Sequence, residues 1–170
     1  MKYAKDFIIC ISISIFLLLL LPVFLVFLKI ENSMIFYIIS AQILFIFTTV
    51  FGVKNIVKSR RLFNEENYAE LQEIWYGLKF LNIPVFVLNF VFCVVIGSFG
   101  FIFFPLNAVV ITVNSIYVFL CVVLSGFVGF FAIKAMKKAG GKINSVCCVM
   151  QFIPFWDVVS TLFIKCKERL

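Results

Sequence analysis

Four apolar runs separated by short charged clusters set the frame of this chain. They cover about residues 7–28, 34–53, 80–103 and 108–133, and none contains Asp, Glu, Lys or Arg. At about 1.5 Å of rise per helical residue, each is long enough to cross a hydrocarbon core of about 30 Å. The pattern predicts an all-α integral membrane protein, 1–170 forming a single membrane domain. Its centre is a four-transmembrane-helix bundle made of two helical hairpins, with amphipathic helices beside it. The first run exceeds the apolar core of a cleavable signal peptide and meets no small-residue cleavage pattern before Lys29, so it is expected to stay as the first span.

Between the second and third runs the pattern changes period. Tyr68, Leu71, Ile74, Trp75 and Leu78 recur at helical spacing, with Glu65, Glu66, Glu70 and Glu73 largely on other faces. An amphipathic interfacial helix over about 64–79 follows, capped by Asn64. Two placements fit: flat in the headgroup layer with Trp75 as an aromatic anchor, or packed on the ends of the spans.

The segment 143–164 is ambiguous. Its length allows a fifth span, but Pro154 divides it. Asp157 would also cost about 2.5–3.5 kcal/mol to place at mid-membrane. Asn144 and Gln151 share a stripe before the proline, and Asp157, Ser160 and Thr161 share one after it. A Pro-broken amphipathic or re-entrant segment is favoured over a fifth span.

Charge orients the chain. Of fifteen Lys and Arg, all but Lys29 fall on one side when four spans are drawn. The positive-inside bias makes that side cytoplasmic and puts both termini there, in a cell membrane of bacterial type. The 24 Phe residues fit a low-GC coding bias. A net charge of +7 beside apolar spans points to anionic lipid headgroups rather than nucleic acid. The halves also echo one another: Phe51, Val53, Lys54, Ile56 and Lys58 match Phe131, Ile133, Lys134, Met136 and Lys138 in spacing. A parallel tandem repeat about an axis along the membrane normal would produce this, and so would two positive-inside exits alone.

Composition removes chemistry rather than adding it. With His 0 the commonest general base and metal ligand is missing, and the spans hold no ionisable pair for a proton relay. The cysteines have no metal-ligand spacing, and Gly140-Gly141-Lys142 lacks the pattern of a phosphate loop. No catalytic residue, metal or cofactor is expected. Gln42, Asn89 and Asn114 are the candidate polar residues inside the spans, as interhelical hydrogen-bond partners or as the lining of a small polar cavity. Cys93 with Gly97, and Cys121, Ser125 and Gly129, form small-residue stripes for close helix packing within one chain or between two. Asp157 could pair with Lys137, Lys138 or Lys165, contact a partner, or face water, the last being favoured. Trp75, Lys137 and Lys138 complete the candidate interface.

The expectation is a non-enzymatic small polytopic protein acting as an accessory or interaction subunit of a membrane complex, transporter-associated or immunity-like, with a protein partner in the membrane. The alternative is a homo-oligomeric transporter or channel for a small or hydrophobic solute.

Overall fold

The structure, a computed structural model, describes residues 2–27, 33–98, 106–141, 143–153 and 156–168. These residues form α1 (Lys2–Phe27), α2 (Ser33–Asn64), α3 (Tyr68–Ser98), α4 (Leu106–Lys138), α5 (Val146–Met150) and α6 (Trp156–Glu168). The four long helices form a bundle, with no strand among the described residues. Three stretches, Met34–Asn64, Tyr68–Val91 and Ala108–Lys138, are long and apolar enough to cross a membrane. The predicted outer turns near Lys29 and Pro105 lie outside the described residues.

Two boundaries differ from the sequence reading. The helix that holds the second apolar run does not stop where the run ends at Val53: α2 continues through Lys54, Lys58 and Arg61 to Asn64. Nor does the chain break between the predicted interfacial helix and the third run, which form the single helix α3 with Pro84 inside it. Nothing from Tyr68 to Ile83 stops a helix, and the apolar stripe of 68–79 stays in phase with the run that follows. Leu71, Ile74, Trp75 and Leu78 are therefore buried in the bundle rather than laid on a surface. The cap also moves: Asn67, not Asn64, accepts from the backbone N–H of Glu70.

The turns at this basic end share one device. Asn67 N–H bonds to Leu62 O and Glu66 N–H to Phe63 O, with Glu66 at φ 57°. Gly141 N–H bonds to Met136 O and Gly140 N–H to Lys137 O, with Gly140 at φ +92°. Both are Schellman endings, which need a left-handed residue just past the helix. Glycine supplies it freely after α4, whereas Glu66 supplies it at some cost.

Around the bundle, α1 packs on α2 and α3, and α4 on α2 and α3, while α1–α4 and α2–α3 meet least, across the diagonals. Phe45 meets Tyr117, Gly52 approaches Leu124 and Phe63 meets Phe131, so α2 and α4 run parallel. The hairpins are thus stacked side by side, α1 against α3 and α2 against α4. A two-fold axis along the bundle would instead put α1 diagonal to α3, so the arrangement is not the one expected of a parallel tandem repeat. Large side chains fill the centre: Phe7, Ile11, Leu18, Tyr37, Trp75, Tyr117 and Ile133 are all at most 1% exposed.

Candidate functional site

The chain turns back after α4 and lays α5 on α4 and α6 on α3. The stripe after the proline faces inward, whereas the one before it divides, with Asn144 exposed and Gln151 buried. Gln151, Asp157, Ser160 and Thr161 are buried, whereas Val146, Val149, Ile153, Trp156, Leu162 and Phe163 are exposed. In water the same segment would be expected to bury the second set and expose the first.

At the centre of the inward face is an ion pair. Lys79 Nζ donates to Asp157 Oδ2 at 2.7 Å and to Ser125 Oγ at 3.2 Å. The two charged side chains are 2% and 0% exposed. Removing an ammonium or a carboxylate from water costs several kcal/mol, so neither would be held here ionised without the other. Ser125 passes the interaction on by donating to Val122 O. Thr161 and Ser160 hydroxyls donate to Asp157 O at 2.6 and 3.1 Å, tying the first turn of α6 to itself. Asp157 Oδ1 is buried with no hydrogen-bond partner among the described residues.

A neutral relay runs beside the pair. Trp75 Nε1–H donates to Gln151 Oε1 at 3.1 Å, and Gln151 Nε2 donates to Ser160 Oγ at 2.7 Å. The relay needs the glycines of α4. A Cβ on Gly129 would overlap Gln151 Oε1 and lie 2.8 Å from Trp75 Nε1, and one on Gly126 would lie 2.7 Å from Gln151 O. Gly126 and Gly129 thus do what small residues do in a packed stripe, within one chain, and what they admit is Gln151 just after α5, while Ser125 receives the Lys79 ammonium.

Of the predicted residues, the structure brings Trp75, Ser125, Gly129 and Asp157 together. The favoured expectation that Asp157 faces water does not hold. Its partner is also none of those expected: Lys137 donates to Ser145, Lys138 pairs with Glu66, and Lys165 sits 4.3 Å above the Phe80 ring. The hydrogen bond from Lys138 also holds the exposed Glu66 carboxyl below the ordinary carboxylate range. Trp75 is a core residue with a polar tip, not a surface anchor. Cys121 is buried in the core, whereas Cys93 and Gly97 lie on α3 with side chains outside the described set. Lys79 and Gln151 were the residues that sequence reasoning undervalued. The available signal was that Lys79 follows Leu71, Ile74, Trp75 and Leu78 on a continuous apolar helix.

The amides of the apolar runs divide. Gln42 is exposed on α2, while Asn89 and Asn114 are buried. With Trp75 beside Gly129 and Lys79 beside Ser125, α3 and α4 are antiparallel in a register that sets Asn89 opposite Ser115 and next to Asn114. Gln42 and Asn89 therefore do not line a common cavity. A second polar chain links three helices elsewhere: Cys10 Sγ to Thr48 Oγ1 at 3.7 Å, and Thr48 Oγ1 to Tyr117 Oη at 2.6 Å. Among the described residues no group of three or more Cys, Asp or Glu could hold a metal ion.

No curated protein and no solved structure matches this chain. Residues 2–169 match DUF6652, a family of unknown function, and the chain belongs to that family.

Proposed function

We propose that this protein is a four-span, non-enzymatic membrane protein with both termini cytoplasmic, and that it acts as an accessory or interaction subunit of a membrane complex. The observation that carries the reading is the inverted amphipathicity of α6. Trp156, Leu162 and Phe163 are 42–66% exposed, while Asp157, Ser160 and Thr161 are at most 3% exposed. An apolar face turned outward is stable when hydrocarbon or an apolar partner lies against it. The segment is then re-entrant: it enters the inner leaflet beside the bundle and leaves it again, with its polar groups paired inside.

The filled centre favours a binding role over conduction through one protomer. Lys54, Arg60 and Lys134 are exposed near the same end and suit anionic headgroups of the inner leaflet. The outward face of α6 supplies an apolar surface for a membrane partner. A solute-handling role for a homo-oligomer is the second reading, favoured by a lateral groove between α3, α4 and α6.

The test is purification from native membranes in mild detergent through an N-terminal tag, with mass spectrometry of what co-purifies. A stoichiometric membrane partner lost on Phe163→Glu is the expected result. A clean homo-oligomer without a partner would overturn the accessory reading in favour of the second.

A further inference from the structure

The lateral groove between α3, α4 and α6 has a volume of about 900 Å³, within the size range of small-molecule sites. Its walls are apolar: Phe86, Val87 and Phe90 from α3, and Val118, Phe119 and Val122 from α4. Val158, Val159 and Leu162 of α6 lie across one end. That end is where the Lys79–Asp157 pair fastens α6, so the groove is stopped on its basic side and open along the bundle flank. Two polar residues interrupt the lining, Asn89 and Ser115, and the α3–α4 register sets them opposite one another.

Asn89 is 7% exposed, and its Oδ1 is buried without a hydrogen-bond partner among the described residues. The neighbouring Asn114 has neither side-chain N nor O paired among the described residues. A buried amide oxygen left unmatched costs about 1–3 kcal/mol, so it marks a place where a donor from outside would be gained. Ser115 can accept or donate. Among the described residues, no Lys, Arg, Asp or Glu lines the groove.

From these we infer that the groove is a binding site for a single-chain lipid alcohol. Its apolar chain lies along α3 and α4, and its neutral hydroxyl donates to Asn89 Oδ1 while accepting from Ser115. A charged headgroup is disfavoured, because the lining offers no counter-ion and the polar pair sits about 15 Å along α3 from Lys79. A partner helix is disfavoured by α6, whose apolar residues block one end of the path such a helix would follow. The inference rests on the membrane reading above but not on the accessory role.

The test uses the full chain in nanodiscs with two photoactivatable diazirine probes, one a hexadecanol analogue and the other the matching hexadecane analogue. The expected result is alcohol labelling of α3 and α4 peptides around Asn89 and Ser115, competed by hexadecanol. The alkane should label there about three- to tenfold less, the discrimination one hydrogen bond provides. Asn89→Leu should reduce alcohol labelling to the alkane level without lowering thermal stability, since it removes an unmatched polar group. Val159→Trp should weaken labelling by both probes by filling the stopped end. Equal labelling by both probes, or undiminished labelling of Asn89→Leu, would overturn the inference. Labelling spread evenly over all the long helices would also overturn it while leaving the membrane reading intact. Absence of labelling by either probe would count against both.

Discussion

Replacing Asp157 with leucine leaves the Lys79 ammonium enclosed by α3, α4 and α6, with only Ser125 as a partner. Breaking a buried pair from one side typically costs about 3–5 kcal/mol, because the remaining charge must stay buried, be neutralised, or drag its helix into water. On the scaling of soluble domains of similar length, that lowers the midpoint of unfolding by about 6–20 °C. The double change Lys79→Met with Asp157→Leu removes both charges and keeps the volume. It should recover most of the loss, or exceed wild type by about 1–4 kcal/mol. Lys79→Met alone should be destabilising, because it leaves the buried Asp157 carboxylate without its ammonium partner. The readout is thermal unfolding in mild detergent followed by the fluorescence of Trp75, which lies in the same network. Asp157→Leu unfolding with wild-type stability would refute the reasoning, as would a double variant as unstable as the two single losses added together.

Two further outcomes follow from the same geometry. Gly77→Ala and Gly129→Ala make the same change in two long helices and should act with opposite signs. At Gly77 nothing lies within 4 Å of the new Cβ, so α3 should gain about 0.5–1 kcal/mol from helix propensity. At Gly129 the methyl meets Gln151 and Trp75, and overpacking should cost about 1–3 kcal/mol in the same unfolding assay. For the proposed topology, reporters fused after Lys142 and after Leu170 should both read cytoplasmic; an external signal at Leu170 alone would establish a fifth span and overturn the re-entrant reading.

The helices that the sequence disclosed are those whose period and length decide the matter locally. The runs at 34–53 and 108–133 carry their own evidence, and α2 and α4 contain them. Where the reading failed, a residue's meaning depended on a distant one. Trp75 has the composition of an interface anchor until Gln151, far along the chain, is found beside it. Asp157 looks solvent-facing beside Ser160 and Thr161, because three polar residues on one helical face ordinarily mean water. That rule assumes the polar face points outward. Here Lys79, Trp75 and Ser125 offer partners from within the bundle, and only tertiary structure brings them there. Likewise, the division at Lys79 followed a change of composition rather than a break in helical phase, and α3 obeys the phase.

The same carboxylate that argues against a fifth span also explains how the segment is held in place. An isolated Asp would cost about 2.5–3.5 kcal/mol at mid-membrane on insertion scales. Paired with Lys79, that cost is offset only if the ammonium lies at the same depth, and Lys79 sits where α3 passes from its acidic first turns into its apolar length. In the re-entrant course proposed above, the pair would therefore set a depth as well as a contact. Farther along α6, Lys165 over Phe80 and Tyr76 keeps its charge within reach of the polar side. Gly126 and Gly129 let Gln151, between α5 and α6, approach α4, and the Trp75–Gln151–Ser160 relay satisfies the buried side-chain amide of Gln151. Each element alone is a weak device. Together they turn a stretch long enough to span into one that turns back and packs on α3 and α4.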